Sequence, residues 1–160
     1  MKNFSAVFSL LFLFTLSTQI TSCVKDPCSN VTCSNGGNCH DGKCTCPLFY
    51  EGTNCTVEWR TKWLGDYNGT LTGGGQSDPA TLTIANGSSV EKLNFLGLIG
   101  DLRAEVATSG SIGIPTQTVY DSGIAYTFVG SGAILGNHIT LTILLTAGGS
   151  TTSFTYDGYK

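Results

Sequence analysis

Seven cysteines are the side chains best placed to do chemistry in this sequence, and all lie between Cys23 and Cys55. Cys28, Cys33, Cys39, Cys44, Cys46 and Cys55 are separated by four, five, four, one and eight residues. No His-Glu-x-x-His or mixed His/Cys zinc spacing accompanies them, so disulfide formation is expected rather than metal binding. The segment is about 28 residues long, too short to bury a stabilising core, so cross-links must shrink its unfolded ensemble instead. Arithmetic alone leaves fifteen pairings of six cysteines open. Such bonds need an oxidising compartment, hence export.

Other chemistry is sparse. His40 lies among the cysteines and His138 beside a turn; surface positions are expected for both. Beyond Cys55, Asp66, Asp78, Glu91, Asp101, Glu105, Asp121 and Asp157 are scattered. Acid–base hydrolysis of glycosides needs two carboxylates at a defined separation. Asp66, in the first strand candidate, and Asp157, directly after the last, could be brought together by chain closure; solvent-facing charge is the alternative for both. No Gly-x-Ser-x-Gly elbow is present. Gly130-Ser131-Gly132 with Gly136 lacks the lysine and following helix of a phosphate loop, and Gly73-Gly74-Gly75 reads as a loop tip. Trp59, Trp63, Tyr67, Tyr126, Phe128, Phe154, Tyr156 and Tyr159 suit a packed core first, and a barrel mouth or sugar-stacking surface second. Beyond residue 22, four Asn-x-Ser/Thr sequons, at Asn30, Asn54, Asn68 and Asn86, would accept glycan in a eukaryotic source.

Three stretches must carry these residues. In residues 1–22, one positive charge precedes an apolar run from Ala6 to Leu16. As a helix that run would span about 16 Å, roughly half a hydrocarbon core. A signal-peptide core is therefore expected rather than a membrane span. The run leads into Ile20-Thr21-Ser22-Cys23. Ile20 fits poorly the small residue that ordinary signal cleavage prefers at −3. The four residues instead resemble a bacterial lipobox. That resemblance implies cleavage after Ser22, lipid on Cys23 and a tether to the cell envelope, at the outer membrane. Each buried CH₂ of such an anchor contributes about 0.8 kcal/mol. Setting Cys23 aside leaves an even six cysteines.

In residues 24–56, Asn35-Gly36-Gly37-Asn38-Cys39 forms a turn before the third cysteine of the set. Cys44-Thr45-Cys46 is followed by Tyr50, Gly52 and Cys55. These features resemble the EGF-like family. The resemblance implies the pairing Cys28–Cys39, Cys33–Cys44 and Cys46–Cys55. Some members bind calcium through acids before the first cysteine and between the third and fourth. Here Asp26 stands alone and the loop holding Asp41 is short. Calcium takes six to eight oxygens, so no calcium site is expected and both acids read as solvated turn residues.

In residues 57–160, Gly-bounded stretches alternate apolar and hydroxyl side chains. Thr56 to Lys62 reads as a connector. Strands are expected over Trp63–Thr72, Ala80–Ala85, Lys92–Ile99, Leu102–Ala107, Gly113–Val119, Ala125–Ile134, His138–Ala147 and Thr151–Tyr156. Pro115 suits an edge or a bulge. Ile139, Leu141, Ile143 and Leu145 share one face, with Thr140, Thr142 and Thr146 on the other. Gly136-Asn137 marks a hairpin. The run Trp63-Leu64-Gly65-x-Tyr67-x-Gly69-Thr70, the Gly130-Ser131-Gly132 triplet and the aromatic last strand resemble lipocalin-like domains that follow EGF-like modules in lipoproteins of Bacteroidota-type bacteria. The resemblance implies a fold without a defined activity.

The expected fold is thus a small disulfide-rich EGF-like module followed by an all-β antiparallel barrel or sandwich. A net charge of −3 without a basic block excludes the footprint of a nucleic-acid binder. The expected role is that of a non-enzymatic cell-envelope lipoprotein. Its β domain would bind a protein or carbohydrate partner, with no metal or cofactor. Three alternatives remain open: a lipocalin-type carrier of a small apolar ligand, an inhibitor of a secreted hydrolase, and a secreted, glycosylated eukaryotic EGF-like protein.

Overall fold

The computed structural model describes residues 25–98 and 101–160. The signal segment and Cys23 lie outside the described residues.

The N-terminal part holds two short hairpins, β1 (Asn38–His40) with β2 (Lys43–Thr45) and β3 (Tyr50–Glu51) with β4 (Val57–Glu58). Asp41 and Gly42 turn the first hairpin with φ of 49° and 78°, the left-handed pair that an Asp-Gly turn supplies. Disulfides join Cys28 to Cys39, Cys33 to Cys44 and Cys46 to Cys55. Among the described residues before Trp63 only Cys55 is fully buried. Cross-links therefore hold this part together, each contributing about 2–4 kcal/mol through the unfolded state.

A single 3-10 turn, Trp59–Lys62, leads into the second part. The expected connector over Thr56–Lys62 is thus structured, and the strand expected from Trp63 starts only at Gly65. Trp63 has helical backbone angles, and its N–H donates to the Arg60 carbonyl at 2.9 Å. The turn swings the indole beneath the strands that follow.

Eight strands then run up and down: β5 (Gly65–Gly73), β6 (Gln76–Asn86), β7 (Lys92–Leu96), β8 (Leu102–Thr108), β9 (Ser111–Asp121), β10 (Ile124–Leu135), β11 (His138–Ala147) and β12 (Ser150–Tyr159). Each pairs antiparallel with the next, and β12 returns to β5. The result is a closed barrel, not a sandwich; closure removes the sheet edges that a sandwich keeps. Most strands are longer than the sequence pattern suggests. β7 is shorter: it ends at Leu96, before Gly97 with its φ of 97°.

The inner face is apolar. Ile139, Leu141 and Ile143 of β11 are buried, while Thr142 opposite them is exposed. Trp63, Tyr67, Phe95, Phe128 and Tyr156 are the largest of the fully buried side chains, each contributing on the order of 2 kcal/mol or more. The outer face is hydroxyl-rich. One row runs Thr118, Thr127, Thr146, Thr151 across β9 to β12. Another runs Ser131, Thr142, Thr155, Thr72, Ser77 from β10 round to β6. This is the reverse of a membrane-spanning barrel, whose outer band is apolar.

The two ends of the barrel differ. At the floor, Trp63 is completely buried, and its indole N–H finds no acceptor among the described residues, so the ring acts by packing. Tyr67 Oη donates to the Trp63 carbonyl at 2.9 Å, and Tyr156 Oη donates to the Tyr67 carbonyl at 2.8 Å. Lys160 Nζ donates to the carbonyls of Lys62 and Leu64. At the opposite end Leu71, Val119, Tyr126 and Leu145 are only partly buried. β7 and β8 do not reach that end. β6 pairs with β7 only over Thr83–Asn86, and β8 pairs with β9 only through Glu105 to Thr108. The wall is therefore notched on both sides of the β7–β8 hairpin.

Candidate functional site

The residues with chemical potential do not gather into one centre. His138 Nε2 lies 2.9 Å from Asp157 Oδ2, and its ring stacks on Tyr159 at 4.3 Å and 10°. The trio sits on the outer face at the floor end. Asp66 is elsewhere: its carboxylate accepts from Thr83 Oγ1 at 2.6 Å. β5 and β12 are indeed neighbours, but Asp157 stands opposite Thr70. Asp66 is four residues further along, about 13 Å by strand rise, so the two carboxylates do not converge.

The aromatic set also divides. Trp63, Tyr67, Phe128 and Tyr156 are core; Trp59 and Tyr126 pack against it; Tyr159 is exposed. Burial pushes the Tyr67 hydroxyl up to about 12, with the neighbouring Tyr156 adding to the effect, and raises Tyr156 likewise. Burial also lowers Lys160. These are structural groups, each bonded within the floor.

In the disulfide-bonded part, Asp26 Oδ1 accepts the Cys28 N–H at 2.8 Å, and Asp41 lies 3.0 Å from His40 at the surface. Among the described residues no three His, Cys, Asp or Glu side chains come together as a metal set. Asn30, Asn54, Asn68 and Asn86 are all exposed.

This part is docked on the barrel floor. The Trp59 N–H donates to the Phe49 carbonyl, the two rings meet edge to face at 5.8 Å, and Lys62 pairs with Glu51 at 2.8 Å. Arg60 pairs with Glu58 at 2.6 Å and donates to the Ser89 carbonyl at 2.7 Å, tying the 3-10 turn to the β6–β7 connection. Glu91 is held below the usual carboxylate range, chiefly by the Ser89 hydroxyl and then by its own backbone N–H.

A recess lies on each flank of the notch. Between β6 and β7 an open groove of about 590 Å³ runs past Leu71, Ala80, Leu96 and Leu98. Between β8 and β9 a crevice of about 490 Å³ is lined by Lys92, Asp101, Arg103, Glu105, Thr116 and Thr118, among others. The register of β9 against β10 slips between Phe128 and Gly130, opposite Pro115 and Thr116. Pro115 has no N–H to give the ladder, and a bulge is where a sheet tolerates it. The Gln117 side chain bridges the seam, accepting from the Arg103 N–H and donating to the Arg103 carbonyl, both at 2.8 Å. Arg103, Gln117 and Tyr120 carry no sequence motif. Pro115 is the one local signal that the wall changes here.

No protein-family model, curated protein or solved structure matches the chain. What stands is a class: a closed eight-stranded antiparallel barrel preceded by a three-disulfide segment.

Proposed function

We propose that the chain is an exported, lipid-anchored envelope protein without catalytic activity, in which an EGF-like module carries a lipocalin-like binding barrel. The observation that carries this reading is the use of cysteines. Three bonds employ six of the seven, leaving Cys23, the last residue of Ile20-Thr21-Ser22-Cys23, outside the set. The first-to-third, second-to-fourth, fifth-to-sixth pattern supports the EGF-like identity. Docking of that module at the floor supports a role as stalk. The module and the open end lie at opposite ends of the barrel, which supports presentation of the notch away from the module.

Intact mass of protein from its native membrane, with and without reduction, tests the proposal. A chain beginning at acylated Cys23 that gains six hydrogens on reduction is the expected result. A lipid-free chain bearing glycan at Asn30, Asn54, Asn68 or Asn86 would overturn it and favour a secreted eukaryotic protein.

The partly exposed Leu71, Val119, Tyr126 and Leu145 at the open end favour a second reading, a carrier of a small apolar ligand. Lipid co-purifying in stoichiometric amount under mild extraction would support it.

A further inference from the structure

We propose that the seam between β8 and β9 is a carbohydrate-binding cleft for an oligosaccharide bearing a hexuronic acid. The proposal deepens the binding-barrel reading, but it does not depend on the lipid anchor.

The cleft is built into the wall. The β8–β9 ladder stops at Glu105 opposite Gly113, and two residues on Pro115 has no N–H with which to continue it. Gln117 satisfies both backbone groups of Arg103, so the seam has no unpaired peptide there to pull it shut. At about 490 Å³ the recess lies in the range of small-ligand sites.

Its chemistry suits a polyol with one negative charge. The chain has two arginines, Arg60 and Arg103. Arg60 is engaged by Glu58, whereas no carboxylate among the described residues lies within ion-pair distance of Arg103. A guanidinium presents its donors in a plane matched to a carboxylate. Asp101 and Glu105 line the same recess as acceptors, and Thr116 and Thr118 add hydroxyls. Lys92 stands opposite Glu105 in the β7–β8 register. The two acids oppose a compact dianion such as phosphate. A sugar acid uses both signs, with its carboxylate on Arg103 and its hydroxyls on the acids and threonines.

Tyr120 lies just beyond the recess, next in sequence to Val119 of its lining. It is 74% exposed, two residues beyond Thr118 on the outer face of β9, about 7 Å along the strand. A flat ring with a polar tip beside such donors is a platform for the C–H face of a pyranose.

Calorimetric titration of the purified protein with tetragalacturonate, and with cellotetraose as the neutral comparison, tests this. The acidic tetrasaccharide is expected to bind. Arg103→Ala and Tyr120→Ala should each weaken it at least about tenfold, with Arg103→Lys recovering part of the loss. Both side chains are exposed, so melting temperatures should not move, which separates lost binding from lost fold. No binding at about 1 mM ligand, equal binding of cellotetraose, or indifference to both alanine substitutions would each overturn the proposal. The anchor is read separately from intact mass, so failure of one leaves the other standing.

Discussion

The side-chain amide of Gln117 takes the place of a peptide group against Arg103: it accepts from the Arg103 N–H and donates to the Arg103 carbonyl, each at 2.8 Å. Where the β8–β9 ladder has ended, a side chain carries it one step further. Gln117→Leu removes both bonds at similar volume. Because water reaches the freed groups, the expected cost is about 1–2 kcal/mol. Amide exchange at Arg103 should accelerate more than that of Leu141 in the core, which hydrogen-exchange mass spectrometry can read.

Closure of the barrel rests on a glycine. A Cβ at Gly69 would lie 2.1 Å from the Asp157 carbonyl oxygen and 2.5 Å from Gly158 Cα, so β5 and β12 would have to part. Gly69→Ala is expected to cost about 3 kcal/mol or to prevent folding. Gly75→Ala tests the alternative, that any lost glycine destabilises the hairpins. Gly75 has open space around it but a φ of 83°, and its cost should stay near about 1 kcal/mol. Chemical denaturation distinguishes the two.

The Tyr156 hydroxyl donates to the Tyr67 carbonyl at 2.8 Å inside the barrel. Tyr156→Phe leaves that carbonyl with less than its due in a dry site, for a loss of about 1–3 kcal/mol. Tyr159→Phe, at an exposed position on the same strand, should be silent in the same melt.

Alkaline pH should destabilise the barrel. The Tyr67 hydroxyl is pushed up to about 12 and Tyr156 is raised as well, so the folded state holds protons that the unfolded chain has already released. This contribution is intact below about pH 10 and is lost as pH rises towards 12, on the order of 2 kcal/mol for Tyr67. Lys160, lowered by burial, works the other way and partly offsets the loss. Denaturation midpoints measured from pH 9 to 12 should fall, and Tyr67→Phe should flatten the fall.

Reduction should loosen more than the disulfide-bonded segment. Cys46–Cys55 closes the loop containing Phe49 and Glu51, and these two meet Trp59 and Lys62 of the 3-10 turn above the floor. The double substitution of Cys46 and Cys55 by Ser is expected to remove about 2–4 kcal/mol from the segment. It should also lower the barrel's own melting temperature, read by the fluorescence of buried Trp63. An unchanged barrel melt would show that the two parts are energetically independent.

The sequence by itself determined the all-β character, the hairpin at Gly136-Asn137 and the inward face of β11. Each depends on local turn chemistry or on a period-two pattern that neighbouring residues carry. The confinement of disulfide chemistry to the segment ending at Cys55 was legible for the same reason: composition shows it directly. Only the tertiary structure decided between barrel and sandwich, because closure depends on β12 meeting β5, a contact between residues about half a chain length apart. It likewise decided that Asp66 and Asp157 stand apart, since cross-strand register, not strand adjacency, sets which side chains meet. The crevice at Arg103 and Gln117 opens where the β8–β9 ladder stops and β9 bulges against β10, and such one-residue irregularities leave almost no mark in sequence beyond Pro115.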